Sequence, residues 1–156
     1  MPAESDDHPD ILAFPPAIAG GVVIPGGLLQ WLRPWWLPLP AWAWAPGVAL
    51  VIAGFALVSW ARGAQARAGT NVNPSQPTTA IVSDGPYTFT RNPMYLALLL
   101  IHVGLATALR SAWLVCGLPV TAALLHFGVI VPEERYLDAK FGDIYRAYRA
   151  RVRRYL

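Results

Sequence analysis

Four long stretches without Asp, Glu, Lys or Arg dominate this sequence. They cover positions 11–32, 34–61, 92–109 and 111–132 and hold 22, 28, 18 and 22 residues. Because a helix needs about 20 apolar residues to cross a hydrocarbon core of about 30 Å, each stretch is long enough, or nearly so, to span a membrane. Only 13% of the residues are charged, against roughly 25% in ordinary soluble proteins, so no polar layer is available to bury four such helices. The sequence therefore predicts an all-α integral membrane helical bundle with about four transmembrane helices.

The chain is expected to form a single membrane domain, since a domain usually holds about 100–200 residues. We expect a polar tail, two N-terminal spans, a cytoplasmic loop, a helical hairpin and a C-terminal amphipathic cytoplasmic helix at 1–10, 11–61, 62–93, 94–131 and 132–156. The individual helices are predicted at 11–32, 37–61, 93–109, 112–131 and 132–154. Pro and Gly in the first two spans predict kinks, and Pro25 is a candidate break in the first.

The basic residues are distributed unevenly between the two ends of the predicted spans. With four spans, both termini and the 62–93 segment share one side, which holds all of the 12 Lys and Arg residues except Arg33 and Arg110. Basic residues favour the cytoplasmic side, so both termini are predicted to be cytoplasmic. Five tryptophans around the turn between the first two spans mark one membrane face: Trp31, Trp35, Trp36, Trp42 and Trp44.

The C-terminal helix has an amphipathic pattern. Its apolar stripe consists of Leu137, Phe141, Ile144, Tyr148 and Val152, and cationic side chains surround it at Arg146, Arg149, Arg153 and Arg154. Such a helix is expected to lie along the cytoplasmic leaflet, held by apolar burial and anionic lipid. It is also a candidate lid for a site, and the two interpretations are compatible.

The sequence lacks the residues that several kinds of functional site need. No charged residue lies within a span, which argues against a charged proton relay or ion pathway. The one Cys, Cys116, and the scattered His8, His102 and His126 have no metal-ligand spacing. No Gly-rich phosphate loop or nucleophilic triad is found either. We predict no metal, no nucleic-acid partner and no required protein partner.

The two imidazoles inside the spans are more often packing residues than ligands. His126 is the stronger candidate for a site, because Glu133 follows seven residues later on roughly the same helical face.

Two polar clusters flank the predicted hairpin. The first, at 85–95, reads Gly-Pro-Tyr-Thr-Phe-Thr-Arg-Asn-Pro-Met-Tyr, and the second, at 132–136, reads Pro-Glu-Glu-Arg-Tyr. Each has a structural explanation, since Asn-Pro starts helices and carboxylates favour a helix N-terminus. Because the hairpin is antiparallel, the two clusters are expected to meet at one membrane face. The meeting would bring together Arg91, Asn92, Tyr95, Glu133 and Glu134, with aromatic walls from Tyr87 and Tyr145 or Tyr148.

The same residues resemble the C-terminal signature of the isoprenylcysteine carboxyl methyltransferases, a group related to the phospholipid N-methyltransferases. The resemblance covers about residues 69–154. It starts with a loop at 69–74 and includes Gly85-Pro86-Tyr87, Arg91-Asn92-Pro93-Met94-Tyr95, Glu133-Glu134, Phe141-Gly142, Tyr145 and Tyr148. Eukaryotic members have His where this chain has Asn92, which cannot titrate near neutrality.

The resemblance implies S-adenosylmethionine as the cofactor, with S-adenosylhomocysteine as its product, in a pocket closed by the C-terminal helix. The catalytic residues that it implies are Arg91, Tyr95 and Glu133. Arg91 would hold a carboxylate, and Glu133 or Glu134 would hold the cofactor's amino or ribose groups. The implied cofactor-binding residues are Val82, Gly85, Tyr87, Asn92, His126, Glu134, Tyr145 and Tyr148.

The resemblance leaves the acceptor open. The first hypothesis is methyl transfer to a lipophilic, prenylcysteine-like carboxylate at the cytoplasmic membrane face. An alternative is N-methylation of a phospholipid ethanolamine headgroup, and a second alternative is a non-catalytic membrane scaffold or small transporter. The expected partners are a lipophilic small molecule or lipid substrate and the surrounding membrane lipids.

Overall fold

The computed structural model describes residues 8–71 and 77–155, and within these ranges it contains helices and no β-strand. The helices are α1 at Pro15–Leu32, α2 at Trp44–Arg67, α3 at Pro93–Ala108, α4 at Ala112–Leu125, α5 at Val131–Phe141 and α6 at Asp143–Arg151. Short 3₁₀ turns at Ala41–Ala43 and Gly85–Thr88 precede α2 and α3, and a π-helical turn at His126–Ile130 joins α4 to α5. The first seven residues of the predicted polar tail lie outside the described ranges. So do residues 72–74, which belong to the loop at 69–74 included in the family resemblance.

The predicted all-α membrane bundle is confirmed. The helical segments Pro15–Leu32, Ala41–Arg67 and Ala112–Phe141 are each long and apolar enough to cross a membrane. α3 is apolar as well, but its 16 residues are fewer than the about 20 that a full crossing needs. It packs against α2 on one side and α4 on the other. α1 continues through Pro25, so the candidate break there does not occur.

α2 and α3 approach each other closely through small residues. A Cβ added to Gly47 would lie 2.4 Å from the backbone nitrogen of Ala108, and one added to Gly54 would lie 2.5 Å from the Ile101 side chain. Membrane helices associate through such small residues because lipid tails compete equally well for large apolar ones. This packing holds the start of α3 beside the end of α2.

α2 extends further than the sequence pattern predicted. It ends at Arg67, whereas the predicted span ended at 61. Ala61 and Ala64 are fully buried and pack in a cluster with Val82 and Tyr87, so tertiary contacts stabilise the additional turns. The predicted loop at 62–93 therefore begins only after α2 ends.

The predicted single helix at 132–154 is wrong. Pro132 does not start a new helix, because α4, the π-helical turn and α5 form one continuous segment. Pro132 has no N–H to offer the carbonyl of Gly128, and that carbonyl instead accepts a hydrogen bond of 2.8 Å from the backbone N–H of Leu12. The chain breaks at Gly142, whose φ of 51° and ψ of −122° suit glycine and exclude most other residues.

Candidate active site

A cavity of about 380 Å³ lies between the start of α1, the last turns of α2, the start of α3, α5 and α6. Nine of the eleven site residues predicted from the sequence line it: Val82, Tyr87, Arg91, Asn92, Tyr95, Glu133, Glu134, Tyr145 and Tyr148. The structure thus brings the two polar clusters together at one end of the hairpin, and the membrane face on which they lie remains a prediction. The roles of these residues remain predictions.

Glu134 is held by two guanidinium groups. Its Oε1 lies 3.3 Å from Nη2 of Arg91. Arg154 donates two further hydrogen bonds, from Nε to Oε1 at 3.0 Å and from Nη2 to Oε2 at 2.7 Å. The Arg91 and Glu134 side chains are only 9% and 10% exposed, so each charge compensates the other in a poorly solvated place. Glu134 therefore holds the Arg91 guanidinium in place, and both of its oxygens already have cationic partners.

Glu133 has a different environment. Its Oε2 accepts a hydrogen bond of 2.5 Å from the hydroxyl of Tyr95. No residue within 8–71 or 77–155 pairs with its other oxygen, Oε1. Glu133 is thus an oriented carboxylate on the cavity wall with one oxygen available to a bound molecule.

Arg91 also has an unused donor. Its Nη1 donates to the hydroxyl of Tyr145 at 3.4 Å, and its Nη2 faces Glu134. Its Nε is buried and has no hydrogen-bond partner among the described residues. A buried donor without a partner costs about 1–3 kcal/mol, so an acceptor on a bound ligand would stabilise this guanidinium.

Aromatic side chains form one wall of the cavity. Tyr145 and Tyr148 are both buried, and the Tyr148 hydroxyl donates to the backbone carbonyl of Tyr87 at 2.8 Å. Burial raises the pKa of Tyr145 to about 12, and the nearby carboxylate of Glu134 adds to this effect. Burial also raises the pKa of Tyr148. Burial raises the pKa of Tyr87 in the same direction. Tyr87, Tyr145 and Tyr148 therefore remain neutral near neutral pH, and their rings can stack on a planar group.

α6 closes this wall. It turns Tyr145 and Tyr148 toward the cavity and leaves Ile144, a member of the predicted apolar stripe, 69% exposed. The buried face of α6 therefore supports the interpretation of this helix as a lid. Contact of the exposed Ile144 with the leaflet remains a prediction.

The segment after α6 is tied to the start of α3. The backbone carbonyl of Arg154 accepts from the Asn92 amide at 3.0 Å and from the Thr90 hydroxyl at 3.0 Å. The backbone N–H of Arg91 donates to the Arg153 carbonyl at 2.9 Å. Asn92 makes no side-chain cap to α3, so its structural role differs from the capping role considered from the sequence.

His126 lies outside the cavity, contrary to the expectation. Its Nδ1 is 2.5 Å from the hydroxyl of Tyr155, and it lines a separate, mainly apolar pocket beside α3. The expected common face with Glu133 is lost because the intervening π-helical turn holds more residues per turn and rotates the following segment.

Gly85 also fails to line the cavity. With a φ of 56°, it adopts the left-handed conformation at the start of the turn that positions Tyr87. A Cβ there would lie 3.1 Å from Nε1 of Trp60. Gly85 therefore affects the site through the backbone conformation of the turn that holds Tyr87.

The structure adds residues that the sequence interpretation missed. Arg154 had been assigned only to the cationic face of the last helix, and no local spacing links it to Glu134. Arg62 and Gln65 line the cavity from α2, as do Thr70, Asn71 and Thr78 from the loop that follows it. Arg62 and Gln65 could have been found from their spacing, since with Val58 they fall on one helical face. That spacing matters only if α2 extends past residue 61, as it does in the structure.

No group of three or more His, Cys, Asp or Glu side chains suitable for a metal ion occurs in the part of the chain that the structure describes.

Comparisons with known proteins point to one family. The sequence profile described as phospholipid methyltransferase matches residues 42–144, more than half of the chain. A protein of Haemophilus influenzae, described as an uncharacterized protein, is 43% identical over 65 residues, which make up 40% of this chain and 100% of that protein. No solved structure matches the chain.

Proposed function

The chain belongs to the phospholipid methyltransferase family, and we propose that it transfers a methyl group from S-adenosylmethionine to a lipophilic acceptor at the cytoplasmic face of the membrane. The observation that carries this proposal is the cavity in which Arg91, Glu133 and a wall of tyrosines meet at one end of a membrane bundle. The uneven distribution of Lys and Arg supports a cytoplasmic location for this end.

The residues of the cavity suit this donor. Its volume of about 380 Å³ falls within the range of about 300–1,000 Å³ that is typical of small-molecule pockets. The unpartnered Nε of Arg91 matches the donor's carboxylate, and neutral buried tyrosines match its adenine. The cavity thus offers a polar partner and an aromatic surface to the two ends of the same molecule.

When bound, S-adenosylmethionine supplies an electrophilic methyl group on a sulfonium, a good leaving group. The protein has mainly to align the acceptor and exclude water, and orientation of this kind can contribute about 7–11 kcal/mol to a rate. We assign Arg91 to the donor's carboxylate and Glu134 to holding Arg91 in place. Tyr87, Tyr145 and Tyr148 line the adenine side.

Glu133 and Tyr95 would act on the acceptor. A primary ammonium headgroup must lose one proton before its nitrogen can attack, and the methylated product is again an ammonium, so each methyl transfer releases one proton. Glu133 has one oxygen without a hydrogen bond within the described ranges, and Tyr95 orients the carboxylate through the other. Glu133 is therefore the group that we assign to accept this proton. A carboxylate acceptor would need no base.

Two acceptors remain in the proposal. The resemblance to the isoprenylcysteine carboxyl methyltransferases supports a prenylcysteine-like carboxylate. The matching family description supports the amine headgroup of a phospholipid. Both are amphiphiles that reach the cavity from the membrane.

The test uses the purified full-length chain in lipid nanodiscs. Calorimetry measures the binding of S-adenosylhomocysteine, and labelled S-adenosylmethionine measures methyl transfer to phosphatidylethanolamine, to a prenylcysteine analogue and to a membrane-lipid extract. We expect saturable binding and transfer to at least one lipid.

Arg91→Gln should weaken S-adenosylhomocysteine binding by about tenfold or more, the loss expected for a charged hydrogen bond. Arg33→Gln is the control, because it removes the same charge at the opposite end of the bundle. Absence of both binding and transfer in the wild type would leave the scaffold or transporter interpretation in place.

A further inference from the structure

The face of α2 that lines the cavity changes character along its length. Val58, Arg62 and Gln65 all line the cavity, and their spacings of four and three residues put them on one helical face. From the middle of the helix toward its end, this face therefore presents an apolar, a cationic and an amide side chain in turn.

The length of α2 predicts that Arg62 lies at the depth of lipid headgroups. At about 1.5 Å per residue, it is about 27 Å along the helix axis from Trp44, which stands exposed among the tryptophans of the opposite end. This distance is close to the hydrocarbon thickness of about 30 Å. A guanidinium at this depth meets the phosphates of the leaflet.

Arg62 is also an uncompensated charge. Within residues 8–71 and 77–155, its side chain makes no ion pair or hydrogen bond, whereas Arg67, five residues further along α2, pairs with Asp84 at 3.1 Å. Arg62 is exposed on the cavity wall, where an unpaired cation attracts an anionic group. Gln65 lies on the same face; its Oε1 is buried without a partner among the described residues, and its amide NH₂ can donate a second hydrogen bond.

We propose that Arg62 and Gln65 form the site that binds the phosphate of a phospholipid acceptor and so orient its amine headgroup toward Glu133. This inference rests on the proposed methyltransferase function and specifies its acceptor. A phosphodiester is an anchor distinct from the methylated amine, so it can be held at α2 while the amine extends toward Glu133. A prenylcysteine has no such second anion, because its carboxylate is itself the methyl acceptor.

The experiment compares Arg62→Gln with Arg67→Gln in nanodiscs, using phosphatidylethanolamine and a long-chain primary amine that lacks phosphate. We expect Arg62→Gln to raise the KM for phosphatidylethanolamine by about tenfold or more, corresponding to about 1.4 kcal/mol. The KM for the phosphate-free amine and the affinity for S-adenosylhomocysteine should stay at wild-type values. Arg67→Gln should leave all three unchanged, and Arg62→Lys should recover part of the loss.

Two outcomes would overturn the inference while leaving the proposed function intact. One is an unchanged KM for phosphatidylethanolamine in Arg62→Gln, and the other is methyl transfer by the wild type only to a prenylcysteine analogue. A wild-type protein that binds no S-adenosylhomocysteine and methylates no lipid would instead refute the proposed function itself. Retained S-adenosylhomocysteine binding in Arg62→Gln shows that the variant is folded.

Discussion

The guanidinium of Arg154 donates two hydrogen bonds to the carboxylate of Glu134, although the two residues are 20 positions apart. The same carboxylate lies 3.3 Å from Arg91. Through Glu134, the C-terminal segment is therefore linked to the residue that we assign to the donor's carboxylate.

Replacing Arg154 by Gln should loosen the C-terminal segment and lower both stability and donor affinity. Arg91 still compensates Glu134, and the Arg154 side chain is 39% exposed, so we expect a loss of about 1–2 kcal/mol in unfolding free energy. Thermal unfolding in detergent and calorimetry with S-adenosylhomocysteine measure the two effects. Arg153→Gln is the control, since Arg153 is exposed and contacts α3 through its backbone. Equal behaviour of the two variants would contradict the linkage.

Glu133→Gln should reduce turnover more than donor binding. The variant keeps the size of the side chain but removes the carboxylate that we assign to receive the proton of an amine acceptor. We expect kcat to fall by roughly tenfold to a hundredfold, while the dissociation constant of S-adenosylhomocysteine changes little. Tyr95→Phe, which removes the hydroxyl bonded to Glu133, should have a smaller effect in the same direction. An unchanged kcat in Glu133→Gln would remove Glu133 from the proposed chemistry.

Gly142→Ala should destabilise the turn between α5 and α6. No atom of the described residues obstructs a Cβ at Gly142, so the cost arises from its positive φ and should be about 1–3 kcal/mol. Gly21→Ala is a matched control, because Gly21 also has open space around it but lies within α1, where Ala favours the helix. Thermal unfolding should therefore shift downward for the first variant and stay level or rise for the second. A parallel shift in both would show that backbone conformation is not the cause.

Alkaline pH should destabilise the protein through Tyr145. The usual tyrosine pKa of 10.0 applies to the unfolded chain, whereas burial raises the pKa of Tyr145 to about 12 in the folded protein. The unfolded state releases this proton first, so stability is retained below pH 10 and falls as the pH rises from about 10 to about 12. Unfolding temperatures across this range, compared between wild type and Tyr145→Phe, measure the effect. Identical curves would contradict the assigned cause.

Much of the architecture could be predicted from local features of the sequence. The charge-free stretches locate the apolar helices, because their length and composition alone decide whether they suit hydrocarbon. Arg91, Tyr95, Glu133 and Glu134 could be brought together because a short turn makes the hairpin antiparallel, so its two ends must meet. The direction of the bundle across the membrane remains a prediction from the basic residues.

Other features depended on contacts between distant segments. Where the helix continues through Pro132, the Leu12 N–H supplies the hydrogen bond that the Gly128 carbonyl would otherwise lack, and no local pattern reveals that partner. The π-helical turn that separates His126 from the face of Glu133 is likewise absent from any simple periodicity.

The sequence by itself determined the helical membrane bundle and the polar end at which the proposed site lies, since both follow from hydropathy along the chain. Only the tertiary structure decided that Glu134 is compensated by Arg154 and that Glu133 is the carboxylate with a free oxygen in the described residues. The sequence alone does not distinguish the two adjacent glutamates. They differ here because neighbouring positions on a helix point in different directions and meet different partners.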